Sequence, residues 1–137
     1  MSILDIELGI ICQQVNCMGV MGAGLALQIK NKYPIVYEEY LKYADPTAIG
    51  KVLLVPVTNE LSVACLFGQV RYGRNRQHTS YDALRRAFIK LNQLAKGKTV
   101  YIPKNIGCGL GGGQWGIVKT IIQETLDNYL IVTQYPE

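Results

Sequence analysis

Two glycine-rich segments are the parts of this sequence most suited to binding an anion. They read NCMGVMGAG at residues 16–24 and NIGCGLGGG at residues 105–113. Each follows an apolar, strand-like run and precedes a helix, so both are expected at the carboxyl edge of a sheet, where open α/β folds bind ligands. Backbone N–H groups and the helix dipole favour phosphate oxygens there, and glycine removes the Cβ that would block approach. Either segment alone could be an ordinary turn or helix cap, but together they predict a site that holds a diphosphate from two sides.

Few other side chains could take part in acid–base or nucleophilic chemistry. His78 is the only histidine, and it is either a catalytic group or a solvated loop residue. Asn16 lies at a strand end, where an asparagine often simply closes an Asx turn. Cys108 lies near a helix N-terminus, where a thiol pKa can fall, but no CxxxxxR pattern surrounds it and a phosphocysteine intermediate is not expected. Lys104 and Gln69 complete the candidates.

Known nucleotide and metal motifs do not fit the chain. Residues 107–112 match G-x-G-x-x-G, but only 25 residues follow Gly112, too few for the rest of a dinucleotide-binding half. No GK[ST] follows either glycine segment, which excludes a P-loop. The four cysteines are scattered, so we expect free, buried thiols, no metal site and no cofactor. They are Cys12, Cys17, Cys65 and Cys108.

Composition indicates one domain over residues 1–137. Hydrophobic residues make up 49% of the chain, yet no long apolar run predicts a membrane span. The start MSILDIELG lacks the basic region of a secretory signal, so a cytoplasmic, monomeric protein without a membrane partner is expected. The net charge of +4 suits an anionic ligand. The densest positive stretch is RYGRNR at 71–76, with Arg85 and Arg86 beyond it. It is either a solvated loop or a surface for a terminal phosphate or a nucleic-acid backbone.

Strand-like and helix-like patterns alternate along the chain. Strands are predicted at 9–15, 51–57, 62–69, 99–103 and 129–135, and helices at 24 to before Pro34, 34–43, 80–95 and 114–128, with Thr79 or Ser80 as the cap of the third helix. The short link between the second and third strands requires them to be antiparallel. The prediction is an α/β fold: a three-layer α/β/α sandwich around a mixed sheet.

Four stretches together resemble a macrodomain, an ADP-ribose-binding family. They are VNCMGVMGAGLALQIK, YPIVYEEY, LFGQ and IPKNIGCGLGGGQW, and the likeness runs over about residues 5–135. The branch it resembles contains ADP-ribose-1''-phosphate phosphatases and terminal ADP-ribose glycohydrolases. Because only four residues precede Asp5, the first edge strand of the family is expected to be short or missing.

The resemblance implies that ADP-ribose or a derivative lies across the carboxyl edge of the sheet. On this view Asp5 accepts a hydrogen bond from the adenine amine, Asn16 holds the distal ribose, the first glycine segment wraps that ribose, and the second cradles the diphosphate. The ligand-binding residues it implies are Asp5, Ile6, Asn16, Met21, Gly22, Ala23, Gly24, Leu25, Ile106, Gly107, Cys108, Gly109, Leu110, Gly111, Gly112 and Gly113.

A carboxylate that related glycohydrolases have is missing from this chain, and this absence decides which reaction the resemblance implies. Related glycohydrolases place an Asp in the second glycine segment, whereas this chain has Gly111 and Gln114, neither of which is a base. Phosphate release from ADP-ribose-1''-phosphate is therefore favoured over glycohydrolysis, with Asn16 and His78 as the catalytic candidates. The alternative is a module that binds ADP-ribose, or an ADP-ribosylated protein or nucleic acid, without turnover.

Overall fold

The sheet is built around β1 (Gly9–Val15), which has a parallel neighbour on each side. The computed structural model describes residues 2–74 and 76–133. The other strands are β2 (Val52–Pro56), β3 (Leu61–Phe67), β4 (Val100–Pro103) and β5 (Tyr129–Val132). Their order is β2-β3-β1-β4-β5, and β2 is antiparallel to β3 as predicted. The carboxyl ends of β1, β3 and β4 consequently meet along one edge of the sheet.

Helices cover both faces of this sheet. They are α1 (Gly24–Lys32), α2 (Pro34–Tyr43), α3 (Tyr81–Ala95) and α4 (Trp115–Thr125). One core joins the sheet to α1 and α2 through Val15, Ile29 and Tyr40, and the other joins it to α3 and α4. Because β1 is covered on both faces, it needs a nearly continuous apolar run. The described residues confirm the predicted α/β/α sandwich.

Local signals explain where the helices begin and end. α1 stops at Lys32, and α2 starts at Pro34, whose missing N–H is unneeded at a first helical position. Ser80 caps α3 by accepting from Ala83 N at 3.2 Å, so Thr79 is free for another role. Among residues 2–74 and 76–133, we find no helix with the length and apolar character needed to cross a bilayer.

The start of the chain agrees with the prediction, whereas the ends of α4 and β3 differ from it. Residues Ile3–Asp5 form a 3-10 turn, in agreement with a short or missing first edge strand. α4 ends three residues early because Leu126 turns into the core while Asp127 N donates to Asn92 Oδ1 at 3.0 Å. β3 ends at Phe67 rather than at residue 69. The last residues predicted for β5, 134 and 135, and residue 75 of the basic stretch lie outside the described residues.

Candidate ligand-binding site

A cavity of about 440 Å³ opens at the carboxyl edge of β1 and β4. Its volume lies in the range of small-molecule sites. The start of α1 and the second glycine loop (residues 105–113) form two of its walls. Its lining residues are Gln13, Gln14, Ala23, Gly24, Leu25, Ala26, Gln28, Gln69, Pro103, Lys104, Asn105, Ile106, Gly107, Gly109, Leu110 and Gly111.

The N-terminus of α1 presents unsatisfied hydrogen-bond donors to this cavity. The first intrahelical bond runs from Leu27 N to Ala23 O, so the N–H groups of Gly24, Leu25 and Ala26 lack helical acceptors. No side chain caps this terminus, and its first turn contains no acidic residue. Gly24 has a φ of 56°, a value that side chains disfavour. An uncapped helix start beside a cavity is suited to an anion.

The second glycine loop faces the same cavity with further free donors. Within the described part of the chain, the N–H groups of Gly107, Gly109, Leu110 and Gly111 have no hydrogen-bond acceptor. All four residues line the cavity. A Cβ at Gly109 would meet no atom within 4 Å, so this position opens directly into free space. Together with α1, the loop forms a two-sided set of backbone donors.

Two carbonyl groups of this loop accept hydrogen bonds from residues 78–79. Gly107 O accepts from Thr79 Oγ1 at 2.6 Å and from Gly113 N at 2.9 Å. Gly111 O accepts from the backbone N–H groups of His78, at 2.7 Å, and Thr79, at 3.0 Å. A Cβ at Gly111 would lie under 3.0 Å from Thr79 Oγ1. A carboxylate side chain at this position therefore does not fit the loop as it stands.

Amide side chains of Gln13, Gln14, Gln28 and Gln69 line the cavity. Gln14 Nε2 donates to Gln69 Oε1 at 2.6 Å and to Thr79 Oγ1 at 2.8 Å. The Oε1 atoms of Gln13 and Gln14 are buried and have no partner in the described residues. Buried acceptors without a donor are costly, so a ligand hydroxyl, an amine or a water would relieve them.

The electrostatics of the site favour anions. Among the described residues that line the cavity, Lys104 carries the one charge, and no carboxylate is present. Residues 61–123 contain ten of the 14 basic residues of the chain but one of its 10 acidic residues. The cavity lining is therefore suited to an anionic ligand.

Part of the predicted basic patch is neutralised by ion pairs. Arg85 pairs with Glu124 at 2.8 Å, and Arg86 pairs with Asp82 at 3.0 Å. Arg71, Arg74 and Arg76 are exposed and make no ion pair with the described residues. Gln69 Nε2 donates to Arg71 O at 2.7 Å, which fastens the start of this basic segment (Arg71, Arg74 and Arg76) to one end of the cavity.

Asn16 shapes the first glycine loop with its side chain. Its Oδ1 accepts from Met18 N at 2.9 Å and from Tyr40 Oη at 2.8 Å, and its Nδ2 donates to Val20 O at 2.8 Å. This is the Asx-turn arrangement that was the alternative to ribose binding. Asn16 is buried and does not line the cavity. Burial also raises the pKa of the Tyr40 hydroxyl, which keeps it a neutral donor.

The thiols are free and poorly ionised. Cys12, Cys17 and Cys65 are buried, and burial raises the pKa of Cys65 to about 12. Burial also raises the pKa of Cys108, whose Sγ donates to Ile106 O at 3.4 Å. A thiol pKa can fall near a helix N-terminus, but at Cys108 the effect of burial is to raise the pKa. No group of three or more metal-ligating side chains occurs in the described residues.

The structure brings together about half of the site residues implied by the resemblance. Those that line the cavity are Ala23, Gly24, Leu25, Ile106, Gly107, Gly109, Leu110 and Gly111. Those that do not are Asp5, Ile6, Asn16, Met21, Gly22, Cys108, Gly112, Gly113 and His78. Asp5 Oδ2 instead accepts from Ser2 N, and Met21 is buried in the core. The ligand-binding and catalytic roles of all these residues remain predictions.

Sequence reasoning missed the glutamines of the cavity other than Gln69. Gln13 and Gln14 are polar residues inside an otherwise apolar strand, and that interruption was the available signal. Gln28 lies on α1, where a single polar residue at helical spacing gives no comparable signal. Pro103 was predicted as the end of the strand 99–103 and Asn105 as the first residue of the second glycine segment, but neither was predicted as a site residue.

Comparison with known proteins places this site in a family. The chain is 27% identical over 133 residues to the DNA ADP-ribosyl glycohydrolase of Thermus aquaticus, covering 92% of this chain and 36% of the relative. It is 29% identical over 112 residues to the ADP-ribose 1''-phosphate phosphatase of Saccharomyces cerevisiae, covering 75% and 63%. The chain thus spans about a third of the first relative and less than two thirds of the second.

A solved structure and a family model complete the comparison. The macrodomain of Mycobacterium tuberculosis DarG has a TM-score of 0.78 at 24% identity, covering 100% of this chain and 94% of that chain, and supports the fold. The family model described as "Macro domain" matches residues 12–122. That span contains the last four residues of β1, all of β2 to β4 and both glycine segments, so the resemblance seen in the sequence is confirmed. This chain belongs to the macro domain family.

Proposed function

We propose that this protein binds ADP-ribose, or a derivative of it, with the diphosphate between α1 and the second glycine loop. The observation that carries this proposal is the two-sided set of free N–H groups, at Gly24 to Ala26 on one side and at Gly107, Gly109, Leu110 and Gly111 on the other. Such donors compensate the charge of phosphate oxygens. The macrodomain fold and the relatives whose names contain ADP-ribose support the choice of ligand. We expect a Kd near 1 μM, or about −8 kcal/mol.

The reaction we propose is release of phosphate from ADP-ribose-1''-phosphate. Phosphoryl transfer is catalysed mainly by positioning and electrostatic stabilisation, so it requires less of a protein base than glycoside cleavage. The cavity has this character, since it offers amide donors and Lys104 but no carboxylate among its described lining residues. The basic segment beside Gln69 favours a ligand with an additional phosphate at that end.

A second candidate function is removal of ADP-ribose from nucleic acid. The exposed basic segment beside the cavity favours this function, because Arg71, Arg74 and Arg76 could neutralise phosphates of a nucleic-acid backbone. The Thermus aquaticus relative, named for action on ADP-ribosylated DNA, supports it as well. The described residues that line the cavity include no carboxylate, which argues against it, because glycoside cleavage ordinarily uses one. Binding without turnover is the third outcome.

One set of incubations separates these functions. The protein is mixed with ADP-ribose-1''-phosphate, with ADP-ribosylated single-stranded DNA and with ADP-ribosylated protein, and released phosphate and ADP-ribose are measured. Phosphate release from the first substrate alone supports the phosphatase. ADP-ribose release from DNA supports the second candidate. In the wild type this release should weaken as salt rises, and Arg71→Gln/Arg74→Gln should lower it and make it less sensitive to salt. Calorimetric binding of ADP-ribose with no turnover supports a binding module, and no binding at millimolar ligand contradicts all three.

A further inference from the structure

We propose that Thr79 and Gln14 are positioning residues that hold the second glycine loop in the conformation that binds phosphate. The inference rests on the proposed binding of ADP-ribose and deepens it, because it names what keeps the site preformed. Neither residue needs to touch the diphosphate for this role. Thr79 lies just before α3 and Gln14 near the end of β1, and both lie beneath the loop.

The argument starts from the freedom of a glycine-rich backbone. A loop with this many glycines can rotate its peptide groups at low cost, and a carbonyl oxygen turned into the cavity would repel a phosphate. In the structure two of these carbonyls are fully occupied by donors from the protein. Gly107 O receives two hydrogen bonds, one of them from Thr79 Oγ1, and Gly111 O receives the N–H groups of His78 and Thr79. Segment 78–79 thus fixes the loop with its N–H groups at Gly107, Gly109 and Gly111 left free.

Gln14 determines the direction of the Thr79 hydroxyl. A threonine hydroxyl has one hydrogen to donate and can accept through its lone pairs. Gln14 Nε2 donates to Thr79 Oγ1 at 2.8 Å, so the hydroxyl hydrogen is committed to Gly107 O. Gln14 is itself oriented by Gln69, whose Oε1 accepts from the same nitrogen at 2.6 Å. The result is a directed chain of hydrogen bonds from Gln69 through Gln14 and Thr79 to the loop.

The surrounding glycines make room for this chain of hydrogen bonds. A Cβ at Gly68 or at Gly107 would lie under 3.0 Å from Gln14 Oε1, and a Cβ at Gly111 would lie under 3.0 Å from Thr79 Oγ1. Contacts that short do not occur in folded proteins. Three glycines are therefore needed by the network itself, independently of any ligand, which indicates that the network is a built feature of the site.

The test compares two substitutions of one side chain. Thr79→Val keeps the shape of threonine and removes its hydroxyl, whereas Thr79→Ser keeps the hydroxyl and removes the methyl group. Calorimetry with ADP-ribose and with ADP should show about tenfold weaker binding of both ligands by Thr79→Val, the value of one hydrogen bond to the loop. Thr79→Ser should remain within about twofold of the wild type, since rescue by serine depends on the hydroxyl. The matched control is Thr125→Val, because Thr125 also donates to a backbone carbonyl, that of Ile121, but lies on α4 away from the cavity.

A second variant shows whether Gln14 acts through Thr79. Gln14→Met removes the amide at similar volume and should weaken binding about threefold, while Gln14→Met/Thr79→Val should bind no more weakly than Thr79→Val alone. In ¹H–¹⁵N spectra, the amide signals of Gly107, Gly109 and Gly111 should shift in both single variants before ligand is added. Three results would each overturn the inference. Thr79→Val could bind as tightly as the wild type, Thr79→Ser could lose as much affinity as Thr79→Val, or the losses of affinity in Gln14→Met and Thr79→Val could add in the double variant. Failure of the wild type to bind either ligand would instead contradict the proposed function.

Discussion

Gly109 is the position where a single substitution should block the site without disturbing the fold. It lines the cavity, its N–H group is free, and a Cβ built on it meets no atom within 4 Å. Its backbone is outside the left-handed region, so a side chain adds no conformational strain. Gly109→Glu should therefore fold normally and project a carboxylate into the space assigned to the diphosphate.

The expected loss of affinity follows from Coulomb's law. A glutamate carboxylate at this site would stand roughly 5 Å from the nearest phosphate charge, and with an effective dielectric constant of about 20 the repulsion is about 3 kcal/mol. The second phosphate is farther away and adds less. A change of about 3 kcal/mol corresponds to roughly a hundredfold weaker binding, so a Kd near 1 μM should rise to about 100 μM or more.

Calorimetric titration with ADP-ribose measures this loss, and two further variants separate its causes. Gly109→Gln has the same size without the charge, so it reports the steric part alone. Gly116→Glu is the matched control, because Gly116 also has no atom within 4 Å of a built Cβ but lies on α4, outside the cavity lining. Binding by a folded Gly109→Glu within about threefold of the wild type would refute the placement of the diphosphate, since the repulsion alone predicts far more.

Two other predictions address side chains whose roles the structure changes. Because burial raises the pKa of Cys108, its thiolate fraction at a given pH is smaller than that of a free cysteine. Alkylation of Cys108 by iodoacetamide should therefore be slower at pH 8 than alkylation of N-acetylcysteine, and its rate should have a higher pH midpoint. A lower pH midpoint for Cys108 contradicts this prediction. Asn16→Ala removes the donor to Val20 O and should reduce the free energy of unfolding in urea by about 2 kcal/mol, whereas an unchanged value would show that the loop does not need the Asx turn.

The fold was largely predictable because its signals are local. Pro34 marks the break between α1 and α2, the short turn after β2 requires an antiparallel partner, and Ser80 caps α3. Errors in the predicted boundaries occur where a contact between residues distant in sequence determines the end of an element. α4 stops at Thr125 because residue 127 bonds to Asn92, 35 positions away in sequence, and no pattern within the helix announces that contact.

The site was predictable in its backbone and not in its side chains. Glycine spacing indicated the donors of the second loop, because N–H groups exist whatever the sequence is. The hydrogen bonds of Gln14 join residues 55 and 65 positions apart, so no local pattern could identify its partners. Thr79 and Ser80 were the two candidates for the cap of α3, and Ser80 takes that place, so no sequence pattern indicated the hydrogen bond from Thr79 to the loop.

The tyrosines of α2 give the first glycine loop a fixed shape before any ligand arrives. Tyr37 Oη donates to Gly19 O at 3.0 Å, and Gly19 N donates to Tyr40 Oη at 3.1 Å, so both polar groups of one glycine are held by a single helix. Ordering a mobile loop upon association costs conformational entropy, and this loop has already lost that freedom on folding. The loop and α2 should thus open to solvent exchange as one unit, and ligand binding should add little to their protection from hydrogen exchange.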